Sequence, residues 1–120
     1  MVKLLSLKKS NQFLKILKNK KINTKYFVIF FAKNKINNKK KVNRYLNISF
    51  VMKKKIGNAV VRNKIKRKLR SAVHKILKEK HLINLDYTYV IFGKNNVYKD
   101  EFKFILDDVN KTFKKINSYK

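Results

Sequence analysis

Three observations predict a single α+β domain in which a small mixed β-sheet of about four strands packs with three helices. Residues Arg44 to Lys53 alternate apolar and polar side chains, the period of a half-buried strand. Residues Tyr87 to Phe92 are a continuous apolar run suited to a buried strand. Between them lies a segment whose apolar residues recur at helical spacing, so the order strand, helix, strand predicts a βαβ crossover. At 120 residues and 44% apolar composition there is material for one modest core, and residues 1–120 are read as one domain.

The remaining elements follow in order. Residues 1–9 read as a basic lead. Ser10 is placed to cap a short helix in which Phe13, Leu14, Ile16 and Leu17 share a face while Lys15, Lys18 and Lys20 point outward. Lys25 to Ala32 reads as a strand with Tyr26, Val28 and Phe30 on one face and Phe27, Ile29 and Phe31 on the other. One face should meet a core; the other meets a helix or stays open as a stacking surface. Residues 33–43, Lys33 to Asn43, show no apolar periodicity and read as a mobile connection. On the strand from Arg44, Leu46, Ile48, Phe50 and Met52 face away from Tyr45, Asn47, Ser49, Val51 and Lys53. Gly93 to Asn96 reads as a turn, and Asp100 as the cap of a last helix with apolar positions Phe102, Ile105, Leu106, Val109, Phe113 and Ile116.

The stretch from Lys53 to Arg70 organises the rest. Gly57 supplies freedom to turn, and Asn58 is a good N-cap because its side-chain oxygen accepts an otherwise unpaired amide proton of the first turn. Steps of about 100° from Val61 place Val61, Ile65, Leu69, Ala72 and Ile76 in one arc roughly 80° wide, with Val73 at its edge. That arc is the expected buried face. Asn63, Lys64, Arg67, Arg70, Ser71, His74, Lys75 and Lys78 lie opposite, and Arg62 and Lys66 sit beside the seam.

Charge narrows the function. The chain carries 33 Lys+Arg against 6 Asp+Glu, a formal charge of +27, and the first carboxylate is Glu79. Such a surface suits a polyphosphate, because each neutralised phosphate releases condensed counterions. A charge run is ordinarily a solvated helix face. Here three of the chain's 4 arginines, Arg62, Arg67 and Arg70, fall on this one helix of a lysine-dominated protein. The planar guanidinium fork can hold a phosphate with two hydrogen bonds and stack on a base, which lysine cannot do.

Other chemistries find little support. Asp107 and Asp108 are adjacent on a helix and point apart, while capping explains Asp100 and Glu101, so no carboxylate cage for a metal is expected. His74 and His81 lie in lysine-rich polar surroundings. With Gly57 and Gly93 the only glycines there is no phosphate-cradling loop, and with no cysteine there is neither disulfide nor thiolate site. The apolar run at the N-terminus is too short for a signal peptide, and no stretch approaches the ~20 residues of a membrane span, so a cytoplasmic protein is expected.

The segment KKIGNAVVRNKIKRKLR closely resembles the signature of the bacterial ribonuclease P protein component, the small basic subunit that assists a catalytic RNA in removing the 5′ leader of precursor tRNA. The resemblance is specific over about residues 53–70, and length, charge and element order agree across nearly the whole chain. It implies a ribosomal-protein-S5-domain-2-like sandwich. It also implies catalysis by the RNA with Mg2+ held there, no metal or other cofactor on the protein, and as partners the catalytic RNA and precursor tRNA, with neither membrane nor protein partner. Docking on the catalytic RNA would fall to Lys54, Lys55, Asn58, Arg62, Asn63, Lys64, Lys66, Arg67 and Arg70, and the leader to a cleft around Phe13, Leu17 and Phe30. Three positions depart from the family: Lys64 replaces the last arginine of an Arg-Asn-Arg element, Leu17 replaces an aromatic, and Ser6 stands where an arginine is frequent. Charge and arginine placement alone would equally suit a structural ribosomal-type RNA binder, a protein that cleaves RNA by itself is disfavoured by the acid-free first 78 residues, and DNA binding is not separable by sequence.

Overall fold

The computed structural model describes residues 3–5, 16–18, 20–33, 45–79 and 83–118. Five strands form one sheet in the order β1-β4-β5-β3-β2, with β1 at Lys3–Leu5, β2 at Lys20–Asn23, β3 at Phe27–Lys33, β4 at Tyr45–Val51 and β5 at Tyr87–Gly93. The sheet is mixed, as expected: β1 and β5 run parallel to β4, whereas β3 runs antiparallel to both β5 and β2. A central helix, Ala59–Glu79, connects the parallel neighbours β4 and β5, which is the βαβ crossover. A C-terminal helix, Phe102–Asn117, packs on the central one.

One sheet face and these two helices enclose the core. Phe27, Ile29 and Phe31 of β3, Leu46, Ile48 and Phe50 of β4, and Tyr89 and Ile91 of β5 are buried in it. The central helix contributes Ile65, Leu69, Ala72, Val73 and Ile76, the arc the sequence predicts, and also Leu77; Val61 is only partly buried. The C-terminal helix contributes Ile105, Val109, Phe113 and Ile116, with Phe102 and Leu106 at the margin. Tyr89 is buried with its hydroxyl donating to the Asn84 carbonyl at 2.6 Å, and burial pushes its ionisation upward.

Several local expectations need correction. The small mixed sheet of about four strands is present, with five counted among the described residues once the short edge strands are included. Lys3–Leu5 lies inside the stretch that reads as a basic lead, and Lys20–Asn23 is a strand that its own sequence pattern does not mark. Both are short edge strands whose partners, β4 and β3, are set by tertiary pairing. Tyr26 does not share a strand face with Val28 and Phe30. The strand starts at Phe27, two residues later than expected, after a turn in which Thr24 Oγ1 accepts the amides of Tyr26 and Phe27 at 3.2 and 3.1 Å. Asp100 does not cap the last helix. The cap position is Glu101, which makes no side-chain cap bond, while the Asp100 carboxylate accepts the buried Tyr26 hydroxyl and lies 3.4 Å from Lys25 Nζ.

Both glycines serve close approach. Gly57 is extended, with φ 161°, a conformation open to any residue, but a Cβ there would lie 3.1 Å from Val61 Cβ. Gly93 ends β5, where a Cβ would come within 2.6 Å of Met52 Sδ and 2.8 Å of Ile65 Cγ2. The expected turn beyond it contains a short helix, Asn96–Lys99. Residues 34–44, most of the expected mobile connection, lie outside the described residues.

Candidate nucleic-acid interface

The central helix starts where its sequence says it should. Asn58 Oδ1 accepts the Val61 amide at 3.0 Å, and Asn58 O accepts the Arg62 amide at 3.0 Å, so Asn58 is committed to the cap. Beyond it Asn63, Lys64, Lys66, Arg67 and Arg70 are exposed along the outer side, while Ile65 and Leu69 are fully buried beneath. Lys54 and Lys55 are exposed on a single 3₁₀ turn, Lys54–Ile56, just ahead of the helix. Arg62 is half-buried at the seam; its Nε donates to the Gly57 carbonyl at 3.1 Å, which ties the guanidinium to the turn.

Two of these cations rest on aromatic rings. The Arg70 guanidinium lies 5.9 Å from the Phe50 ring and Lys64 Nζ lies 5.1 Å from the Tyr98 ring. Lys68 has a different role from its neighbours. Its ammonium donates to the carbonyls of Val97, Tyr98 and Asp100 at 2.9, 3.3 and 3.0 Å, tying the short helix and the residue after it to the central one.

The second sheet face carries Phe30, one of the residues expected at the leader. On β3, Val28 and Phe30 point away from the core and are half-buried. Val28 pairs with Phe92, and Phe30 meets Phe92 edge-on at 5.6 Å between ring centres. Lysines flank this pair: Lys21 Nζ lies 5.8 Å from the Phe30 ring and Lys53 Nζ 5.6 Å from the Phe92 ring. A cleft of about 340 Å³ opens here between Val28, Phe92, Ile56, Lys53, Lys55 and Lys94. Because Ile56 and Lys55 precede the central helix, the cleft joins the aromatic face to the start of the cationic one. Sequence reasoning missed Phe92, since a continuous apolar run gives no period by which to tell its inner from its outer residues.

Leu17 is half-buried at the end of a helical turn, with Ile16 buried beside it. Phe13 and His81 lie outside the described residues, and His74 is exposed. Asp107 pairs with Lys111 at 3.2 Å on the helix surface. The hydrogen bond from Tyr26 holds the Asp100 carboxyl below its ordinary value, helped by Lys25, and Asp100 in turn pushes the Tyr26 phenol up to about 12. Among the described residues no three His, Cys, Asp or Glu side chains converge to hold a metal, and no helix is long and apolar enough to cross a membrane.

A small α+β fold bearing a cationic helix with no acid before its last residue, beside an aromatic cleft, defines a nucleic-acid-binding protein. The family described as Ribonuclease P matches residues 1–117. A ribonuclease P protein component of Carboxydothermus hydrogenoformans is 34% identical over 104 residues, covering 86% of this chain and 83% of its own. The RNase P protein from Thermotoga maritima superposes with a TM-score of 0.72 at 25% identity, covering 92% of this chain and 96% of that one. The Staphylococcus aureus RNase P protein shares the fold, with a TM-score of 0.72 at 24% identity over 96% and 97% of the two chains. The chain belongs to the ribonuclease P protein family. Membership carries association with ribonuclease P RNA and a role in processing tRNA 5′ ends, and it sets aside the reading as a structural ribosomal-type RNA binder.

Proposed function

We propose that the cationic side of the central helix docks on the catalytic RNA, that the cleft around Phe30 and Phe92 guides the 5′ leader of precursor tRNA, and that the bond is cut by the RNA. The observation that carries this reading is the continuity of the two surfaces, which meet at Lys53, Lys55 and Ile56. Arg62, Lys64, Lys66, Arg67 and Arg70 supply charge and forks for folded RNA, with Lys54 and Lys55 at the base of the helix. Phe30 and Phe92 supply sequence-tolerant stacking for single-stranded nucleotides, worth about 1–3 kcal/mol per base. Phe13 and Leu17 belong to the same cleft on the family pattern.

On this reading the protein lowers the repulsion between two RNAs and adds a single-strand site that precursor has and product lacks. That difference favours precursor binding over product retention. Magnesium serves the reaction from the RNA, in a cytoplasmic holoenzyme; on the protein, the described acids are spent on Tyr26, Lys25 and Lys111 or stand apart.

The test is cleavage of a 5′-extended precursor tRNA at low magnesium by the protein alone, by ribonuclease P RNA alone, and by both. Cleavage at the mature 5′ end that requires both supports the reading. Cleavage by the purified protein alone overturns it.

A further inference from the structure

Among the described residues two aromatics outside the cleft are exposed: Phe104 on the C-terminal helix, with Lys103 over its ring, and Tyr98 beside the cationic side of the central helix. Tyr98, on the short helix Asn96–Lys99, is 38% exposed, and Lys64 Nζ lies over its ring at 5.1 Å. One helical turn before Lys64 on the same helix, Val60 is 72% exposed and adds an apolar side chain to the cationic side. The short helix is not loose: Lys68 fixes it through the carbonyls of Val97 and Tyr98. The ring is therefore presented on a rigid support. Neither the short helix nor the central helix from Ala59 to Lys78 contains a carboxylate, and the Asp100 side chain is taken up by Tyr26 and Lys25.

A packing role explains Tyr98 poorly. Its neighbour Val97 is fully buried and anchors the short helix, whereas Tyr98 is the exposed partner. Lys64 offers the complementary clue. The arginines that share its helix each carry both a charge and a flat surface, while a lysine carries the charge alone. At Lys64 the flat surface is present on the adjoining helix, as the ring of Tyr98.

We propose that Lys64 and Tyr98 together form a subsite for one unpaired nucleotide of the catalytic RNA: the Lys64 side chain swings off the Tyr98 ring to pair with the phosphate, and the base stacks on the face it leaves. Charge complementarity names the occupant, since an acid-free patch of one aromatic among lysines and arginines matches a base with its phosphate. The subsite extends the RNA-docking surface from the central helix onto Asn96–Lys99. It rests on the reading that the central helix faces the catalytic RNA, and the experiment separates the two.

The measurement is the affinity of the full-length protein for ribonuclease P RNA as a function of salt, for Tyr98→Ala, Tyr98→Phe, Lys64→Ala, Arg67→Ala and the double variant Tyr98→Ala with Lys64→Arg. Thermal unfolding of each variant checks that the fold is kept. Tyr98→Ala should weaken binding roughly fivefold or more with an unchanged salt slope, as loss of a stacked base would. Lys64→Ala should flatten the slope by about 0.7–0.9, the share of one phosphate. Tyr98→Phe should bind as the wild type does, and Lys64→Arg should restore affinity to Tyr98→Ala, because the guanidinium returns a flat surface. Wild-type binding by Tyr98→Ala alongside weakened Arg67→Ala overturns the subsite and leaves the helix interface standing. Wild-type binding by both overturns the subsite and the interface together. A flattened slope for Tyr98→Ala also overturns the stacking role, since the ring would then act only by positioning Lys64.

Discussion

The central and C-terminal helices rest on the same core, and their outer surfaces differ in kind. The C-terminal helix neutralises part of its own charge, with Asp107 and Lys111 paired at 3.2 Å one turn apart. The central helix carries no acid before Glu79; Lys64 and Arg70 lie over rings of neighbouring elements, Arg62 and Lys68 bond to backbone carbonyls, and Lys66 and Arg67 are exposed. Stability does not explain the contrast, because an exposed ion pair is worth about 0–1 kcal/mol. On the proposed function the difference is one of use: both helices complete the core, and the central one keeps its charge for RNA.

The comparison breaks first if the helices are not equal partners in the core. Leu69→Ala on the central helix and Phe113→Ala on the C-terminal one, both fully buried, should each cost about 2–5 kcal/mol in denaturant unfolding. A negligible loss for either would show that helix to be an appendage. The next largest effect concerns RNA. Arg62→Ala with Arg67→Ala should weaken binding to ribonuclease P RNA by tenfold or more at physiological salt, by the order of magnitude expected for two phosphate contacts. Lys111→Ala with Lys114→Ala, the same change of charge on the other helix, should leave binding nearly unaltered. Equal losses in that titration would mean that total charge, not its placement, sets affinity.

Smaller effects sharpen the contrast at the helix starts. Asn58→Ala should destabilise by about 1 kcal/mol through loss of its cap bond, whereas Glu101→Ala should cost less, since Glu101 makes no such bond. Last comes pH. Because the Asp100 carboxyl is held below its ordinary 3.8, its stabilisation is complete above that value and is lost as pH falls through the lower folded value. The Tyr26 phenol moves the other way, from 10.0 to about 12, so its contribution is complete below 10.0 and is lost as pH rises toward 12. Tyr26→Phe should therefore flatten the pH dependence of the unfolding midpoint at both ends, and an unchanged profile would show that the pair is broken in solution.

Elements whose pattern is written in their own residues were legible. The alternation of β4, the apolar run of β5, the buried arc of the central helix and the Asn58 cap all depend on neighbours within a few positions. Features set by a distant partner were not. Only Ile22 is buried in Lys20–Asn23, so nothing local marks that strand until β3 lies beside it. Asp100 looked like a cap because caps are local, yet its partner Tyr26 is 74 residues away. The candidate site divides the same way: the cationic face followed from helical spacing, whereas Phe92 and Tyr98 entered only when folding brought Phe30 and Lys64 against them.

Gly93 bears on more than packing. Its missing side chain lets Ile65 and Leu69 of the central helix seat directly on the end of β5, while the preceding residue, Phe92, lines the cleft on the opposite side of the sheet. A single peptide unit thus separates the two surfaces, with Met52 Sδ, Ile65 and Leu69 already packed against the place a Gly93 side chain would take. If the two proposed surfaces hold their RNAs, the molecule works there as a calliper whose gap is set by backbone thickness, and one added methyl at Gly93 would change the gauge.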